Sequence, residues 1–410
     1  MLKKFLITLI VLALPPTVIF LVMSQPEQPP HPPSKNFSAD RLSPIIGVYE
    51  MAGHEQVLAT YSARGGVVLF GLNGTRFSRA DYLSSSITPT VLPDVYEWEP
   101  FSKDNVARVL TLVREQGVVT GFTWEGGNAN RVEAGFSQQE VHWLNGEIEL
   151  TGTVFVPNKI TNGGAVVIHG SGWSDRDNLW YLHFVMKLVD SGVAVLFPDK
   201  RGSGESGGDW RSSSFDEFAL DSLVGREKLS EITGIRTENI GLLGISQGGS
   251  VAPRAAAISG DVPWIVNVSG SSVSFEESLV HETYQNLRQM GIPSMFDTFM
   301  HPYAFAIAQR KRSNWWALNG GYDPLEDWQL LEVPTLVLYG REDEWDNVPV
   351  QTSIERFESL QAKNIEINVY GGLGHGLFDE TTRNIRPEVL DRVAGWANRH
   401  GNGHPQNKSS

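Results

Sequence analysis

Cysteine is absent from the 410 residues. That excludes disulfides, thiol catalysis and thiolate metal sites in one step, while leaving the compartment open. Positive charge is also scarce: 33 Lys and Arg stand against 47 Asp and Glu, a net charge of −14. Such a surface repels phosphate backbones, so nucleic acid is not an expected partner. Metal-ligand spacing is missing too, because the 10 histidines are scattered and no H-E-x-x-H occurs. The "GSG" at 170–172 lacks both a Lys-Ser/Thr ending and dinucleotide spacing, so it does not read as a phosphate cradle. No cofactor and no metal are expected.

Within an ordinary globular mixture of 41% apolar and 20% charged residues, a long apolar run stands at the N-terminus. "MLKKFLITLIVLALPPTVIFLVMSQPEQPPHPP" opens with Lys3 and Lys4, is apolar from Phe5 to Met23, then turns polar and proline-rich. Pro15 and Pro16 interrupt it and it has no amphipathic period, which argues against a buried core helix. A basic flank before an apolar stretch reads as a secretory signal or a membrane anchor, both of which remain open. Residues 1–36 are therefore expected to be signal or anchor plus an extended linker. The rest should be exported, whether periplasmic, extracellular or held at a membrane by this segment, and 401–410 should form a flexible tail.

Two regions of different texture follow. From 37 to 143 the chain runs in short segments such as "GGVVLFG" (65–71), "ARVLTLV" (107–113) and "GVVTGFTW" (117–124), separated by turn residues. This predicts an antiparallel β sandwich or barrel. No convergent catalytic set is visible there, and His54 and His142 are isolated. From about 144 to 400, buried-type strands alternate with helical segments: "GGAVVIHGSG" (163–172), "LWYLHFVMKLVDSG" (179–192), "VAVLFPD" (193–199), "FDEFALDSLVGREKLSEI" (215–232) and "NIGLLG" (239–244). That alternation predicts an open, mostly parallel sheet with helices on both faces.

The pattern G-x-S-x-G occurs twice, around Ser206 in "GESGG" and around Ser246 in "GISQG". With 41 glycines in the chain, roughly 0.3–0.4 matches arise by chance, so context must choose. Ser246 directly follows the strand "IGLLG" and opens the helical "QGGSVAPRAAAI", with Pro253 inside it. A strand, a tight turn and a helix leave a serine hydroxyl exposed above the sheet. Ser206 lies several residues beyond its strand in a polar stretch with no helix starting at once. Ser246 is the candidate nucleophile.

With these residues in view, the chain resembles the α/β-hydrolases, in their serine-esterase and serine-aminopeptidase branch. The resemblance rests on "HGSGWSDRD" (169–177), "PDKRGSGESGG" (198–208), "GISQGGSVAP" (244–253), "LVLYGRED" (336–343) and "GLGHGLFD" (372–379). It spans about 145–398 and leaves the β-rich region outside. It implies an α/β-hydrolase fold with a helical cap at about 271–328, and an order of serine, acid, then histidine. His375 is then the base, while His281 and His301 fall in the helical insertion and His169 heads the oxyanion loop.

The acid is Asp343 or Asp346: Asp343 lies three residues after the glycine ending its strand, but the following Val348–Pro349 stands closer to Asp346. Asp343 is preferred. The oxyanion donors are expected to be the backbone N–H groups of Gln247 and Ser171. Asp175, Arg176, Asp177, Asp199 and Arg201 read as an ion-pair network bracing the oxyanion loop.

The resemblance implies acyl-enzyme chemistry on a small-molecule ester or a short acyl or peptide substrate. Ten aromatics between Ser271 and Trp328 favour an apolar ester. A serine aminopeptidase would instead use Glu276, Glu277 or Glu282 to hold an ammonium. A catalytically silent binding protein on the same scaffold is the third reading.

Overall fold

The computed structural model describes residues 37–401 apart from 52–53, 73–85, 100–107, 126, 161–162, 312 and 380–383. The N-terminal apolar run, its linker and the last nine residues lie outside the described residues. Among the described residues no helix is long and apolar enough to cross a membrane.

The first region is a closed antiparallel barrel of eight strands. They are β1 (Gly47–Met51), β2 (Gln56–Ser62), β3 (Gly66–Gly71), β4 (Ser86–Pro89), β5 (Val95–Glu99), β6 (Arg108–Glu115), β7 (Val118–Trp124) and β8 (Gly127–Val132). β1 pairs with β8 to close it, which removes free strand edges. Its interior is filled by side chains such as Tyr49, Val57, Leu69, Ile87 and Phe122. In β6, burial alternates as a half-exposed strand requires. β2 and β3 instead are buried on both faces. Their outer-facing Leu58 and Phe70 join the core of the second region beside Phe184 and Val185. That docking explains why "GGVVLFG" is apolar throughout instead of alternating.

The second region is an eight-stranded sheet ordered β16-β15-β14-β13-β11-β12-β10-β9. It comprises β9 (Phe136–Asn145), β10 (Ile148–Pro157), β11 (Gly164–Ile168), β12 (Ala194–Pro198), β13 (Ile240–Ile245), β14 (Ile265–Val268), β15 (Thr335–Gly340) and β16 (Ile365–Tyr370). From β12 to β16 neighbours are parallel, while β9 and β10 form an antiparallel hairpin at one edge. The sequence reading ended the β-rich region at 143, and the pairing corrects this. β9 is hydrogen-bonded to β10 from Phe136–Pro157 to Asn145–Ile148, so residues 136–143 belong to the second sheet.

The sheet's flanking helices are α1 (Leu179–Asp190), α2 (Phe215–Thr233) and α3 (Gln247–Ser259). Local chemistry sets their ends: Ser214 and Glu217 form a reciprocal capping box at the start of α2, and Gly234 closes it at φ 73°. Between β14 and β15 lies the cap, built from α4 (Phe275–Gln289), α5 (Asp297–Lys311), α6 (Ser313–Asn319) and α7 (Pro324–Trp328). Helices α8 (Val350–Ser359) and α9 (Pro387–His400) complete the fold. The chain moves from β11 out to β12 and back across to β13. At such a reversal the carboxyl ends of neighbouring strands open a crevice, where ligands bind in open α/β sheets.

Candidate active site

Ser246 stands at that crevice, between the end of β13 and the first turn of α3. Its backbone has φ 55° and ψ −123°, a conformation costing a side-chain-bearing residue roughly 1–3 kcal/mol. The flanking glycines make the turn feasible. A Cβ on Gly244 would lie 2.3 Å from the Gly248 carbonyl oxygen, and one on Gly248 would lie 2.1 Å from that of Ile168. The Ser246 N–H is held by the Val268 carbonyl at 2.8 Å. The turn is thus fixed from the neighbouring strand β14.

His375, on the loop after β16, reaches back to this serine. Its Nε2 lies 3.0 Å from Ser246 Oγ, and its Nδ1 lies 2.8 Å from Asp343 Oδ2. The arrangement suits the tautomer in which Nδ1–H donates to the carboxylate and Nε2 accepts from the hydroxyl. The Asp343 side chain is fully buried, while that of His375 keeps 20% exposure, so the ring faces both the interior and the site. Two further contacts hold the loop and the ring. Ser269 Oγ donates to the His375 carbonyl at 2.8 Å, and the Trp180 ring lies 5.5 Å away.

Asp346 is elsewhere. It accepts from Gln289 Nε2 and Asn347 Nδ2 at the surface. A short 3₁₀ segment, Arg341–Trp345, turns Asp343 inward, and the Asp346 and Val348 N–H groups both donate to the Asp343 carbonyl. This looped path explains why the Val–Pro pair stands farther along the chain than the spacing suggested.

Ser206 is buried in a structural role, donating to the Asp199 carbonyl and accepting from the Thr151 N–H, both at 2.9 Å. His169 is likewise used within the fold, with Nδ1 2.7 Å from Ser174 Oγ and Nε2 2.6 Å from the Pro198 carbonyl. Burial pushes its imidazole down to about 3, so it stays neutral. His281 and His301 lie on α4 and α5, and His301 Nε2 meets Thr283 Oγ1.

The loop from His169 to Asn178 runs over the start of α3. A Cβ on Gly170 would lie 3.1 Å from Ser246 Cβ, which measures how closely the loop approaches. No acceptor among the described residues faces the backbone N–H of Ser171 or Gln247. The N-terminal end of α3 adds the positive pole of a helix at the same place.

The five charged residues of the two loops divide their tasks. Arg176 is buried and donates to Glu140 and Glu205, and its own N–H donates to Asp199 Oδ1 at 3.0 Å. Burial pushes the Asp199 carboxyl up to about 7, against the pull of Arg176. Asp177 reaches the barrel, accepting from Ser62 Oγ at 2.7 Å and from the Ala63 N–H at 3.0 Å. Asp175 accepts from Trp173 Nε1 and the Asp177 N–H. Arg201 turns away to α2, pairing with Glu217 and Asp221. The ion-pair network expected from sequence therefore holds for Arg176 with Asp199; Asp175 and Asp177 brace the loop mainly through hydrogen bonds, and Arg201 ties a different element.

Sequence reasoning missed Ser269, Trp180 and Lys200. The first two carry no motif, because their roles arise from β14 and α1 lying beside a distant loop. Lys200 is buried between Asp199 and Arg201, and burial pushes its ammonium down to about 7.

The cap aromatics serve mixed ends. Trp315 packs on Phe215 and Phe275, and Trp328 on Phe357, as structural core. Phe299 and Tyr303 are exposed at 58% and 46%. Glu277 completes the capping box of α4, and both its carboxylate oxygens accept from Arg356 Nη2 at 2.7 Å. Glu276 is exposed in the same first turn, and Glu282 is half-buried farther along α4.

Residues 165–388 match the alpha/beta hydrolase family, with the barrel outside the matched span. A non-heme haloperoxidase of Rhodococcus erythropolis is 24% identical over 269 residues, covering 57% of this chain and 93% of that protein. An esterase of Pyrococcus furiosus superposes with a TM-score of 0.49 at 22% identity, over 65% of this chain and 92% of that one. A proline iminopeptidase of Mycobacterium smegmatis does so at 0.45 and 16% identity, over 64% and 99%. The chain belongs to the alpha/beta hydrolase family.

Proposed function

We propose that this chain is a serine hydrolase that cleaves carboxylic esters through an acyl-enzyme intermediate. The observation that carries the reading is the continuous relay from Asp343 Oδ2 through His375 to Ser246 Oγ, at 2.8 and 3.0 Å. Ser246 Oγ attacks the ester carbonyl as its proton passes to His375 Nε2, and Asp343 stabilises the resulting imidazolium. The carbonyl oxygen, now negative, sits against the N–H groups of Gln247 and Ser171. Collapse of this intermediate breaks the ester C–O bond, and the imidazolium returns its proton to the departing alcohol. Water then attacks the acyl-serine with His375 again as base, releasing the carboxylic acid and restoring the hydroxyl.

The surroundings support an apolar acyl or alcohol group, and acyl chains of short to medium length are the proposed substrates. Trp180 lies against His375, and Phe378 lies 6.5 Å from Trp180, so an aromatic wall borders the base. Of the three carboxylates that an aminopeptidase could use for the substrate ammonium, Glu277 is engaged by Arg356. The test is a panel of p-nitrophenyl esters, from acetate to octanoate, beside aminoacyl p-nitroanilides. Esters of two to eight carbons should be turned over fastest, and Ser246→Ala should lose this activity by several orders of magnitude. Faster turnover of a free-amine anilide would overturn the esterase reading.

A further inference from the structure

Lys200 extends from the loop after β12 toward the same turn that carries Ser246. Its main chain is fixed at both ends, with its N–H on the Ser174 carbonyl and its carbonyl accepting from the Ser203 N–H. The buried Nζ donates to the Gly170 carbonyl at 2.6 Å and to Gln247 Oε1 at 2.9 Å, and lies 4.8 Å from the centre of the Phe218 ring. Among the described residues no carboxylate lies within ion-pair distance of it. A lysine serving only to balance a buried acid would pair with one. This one is aimed at a backbone carbonyl and an amide.

The identity of those two acceptors carries the inference. The Gly170 carbonyl and the Ser171 N–H belong to one peptide group, so holding the oxygen fixes the plane in which the N–H points. Donation to that oxygen also polarises the peptide and strengthens its N–H as a donor. The second acceptor is the side chain of Gln247, the residue whose own N–H is the other oxyanion donor. We propose that Lys200 is a positioning residue of the oxyanion hole, a bridge that sets and polarises both N–H donors without touching substrate. This rests on the serine-hydrolase reading above. The nitrogen donates to both oxygens whether it carries two hydrogens or three, so the bridge persists in either charge state.

The test compares Lys200→Met and Lys200→Arg with the unaltered chain on p-nitrophenyl butyrate. A second readout is inhibition by an aryl trifluoromethyl ketone, which forms a hemiketal oxyanion on the serine. Loss of one oxyanion donor costs on the order of 10²–10³ in kcat, and a loosened pair should cost less. Lys200→Met should lower kcat about 10–100-fold with KM within about twofold, and weaken the ketone by a similar factor. Lys200→Arg keeps the donors, and an adjoining cavity of about 40 Å³ gives it room, so it should recover most of the loss. Should the methionine variant fail to fold, Gln247→Leu removes one end of the bridge and should lower kcat and ketone affinity together. Unchanged kcat in Lys200→Met, or in Gln247→Leu where that stands in, would overturn the proposal, as would a loss confined to KM. Activity surviving in Ser246→Ala would instead overturn the hydrolase reading on which it rests.

Discussion

At the scale of single residues, the proposed catalysis depends on which carboxylate orients the histidine. Asp343 is buried against His375 Nδ1, whereas Asp346 bonds Gln289 and Asn347 at the surface. Asp343→Asn should therefore lower kcat by on the order of 10³–10⁴ with folding intact, because an amide favours the wrong imidazole tautomer. Asp346→Asn should change kcat by less than about twofold. Steady-state kinetics with a thermal melt on both variants checks this, and the reverse ranking would move the acid to Asp346. The placement of Ser246 at a strand–turn–helix junction and of His375 on the loop after β16 was legible, because glycine spacing and strand context mark both positions locally. The choice of acid was not, since a 3₁₀ segment between Gly340 and Asp346 decides which side chain turns inward. Lys200 was unreadable for a related reason: its partners lie 30 and 47 positions away.

Secondary-structure elements were more legible than their assembly. The strand runs, α1, α2 and α3 fall within a few residues of their sequence patterns, because buried parallel strands and capped helices carry strong local signals. β9 was assigned to the wrong region because an antiparallel edge strand has the same alternation as a barrel strand. The element of greatest consequence is the turn between β2 and β3, which grips the loop from His169 to Asn178 through Asp177. Asp177→Ala leaves the Ala63 N–H and the Ser62 hydroxyl without that partner. It should cost about 1–3 kcal/mol of stability and lower kcat about 3–10-fold by loosening the loop. Urea denaturation and ester kinetics on one preparation measure both, and wild-type values for both would show that the turn does not hold the loop.

For the whole molecule, the barrel and the sheet share one core: Val48, Leu58 and Phe70 pack among residues of α1 and the sheet. The sequence indicated two regions and their fold classes, but their joint core was hidden, since an apolar run does not declare which surface will cover it. Asp177 ties the loop beside Ser246 to this shared body through Ser62 and Ala63. The proposed serine-hydrolase reading is tested most directly by covalent labelling of the full chain with a fluorophosphonate, followed by mass mapping of the modified peptide. One adduct is expected, on the peptide that holds Ser246, and it should disappear in Ser246→Ala. No adduct on the folded protein, or one that persists in Ser246→Ala, would contradict the assignment of Ser246 as nucleophile.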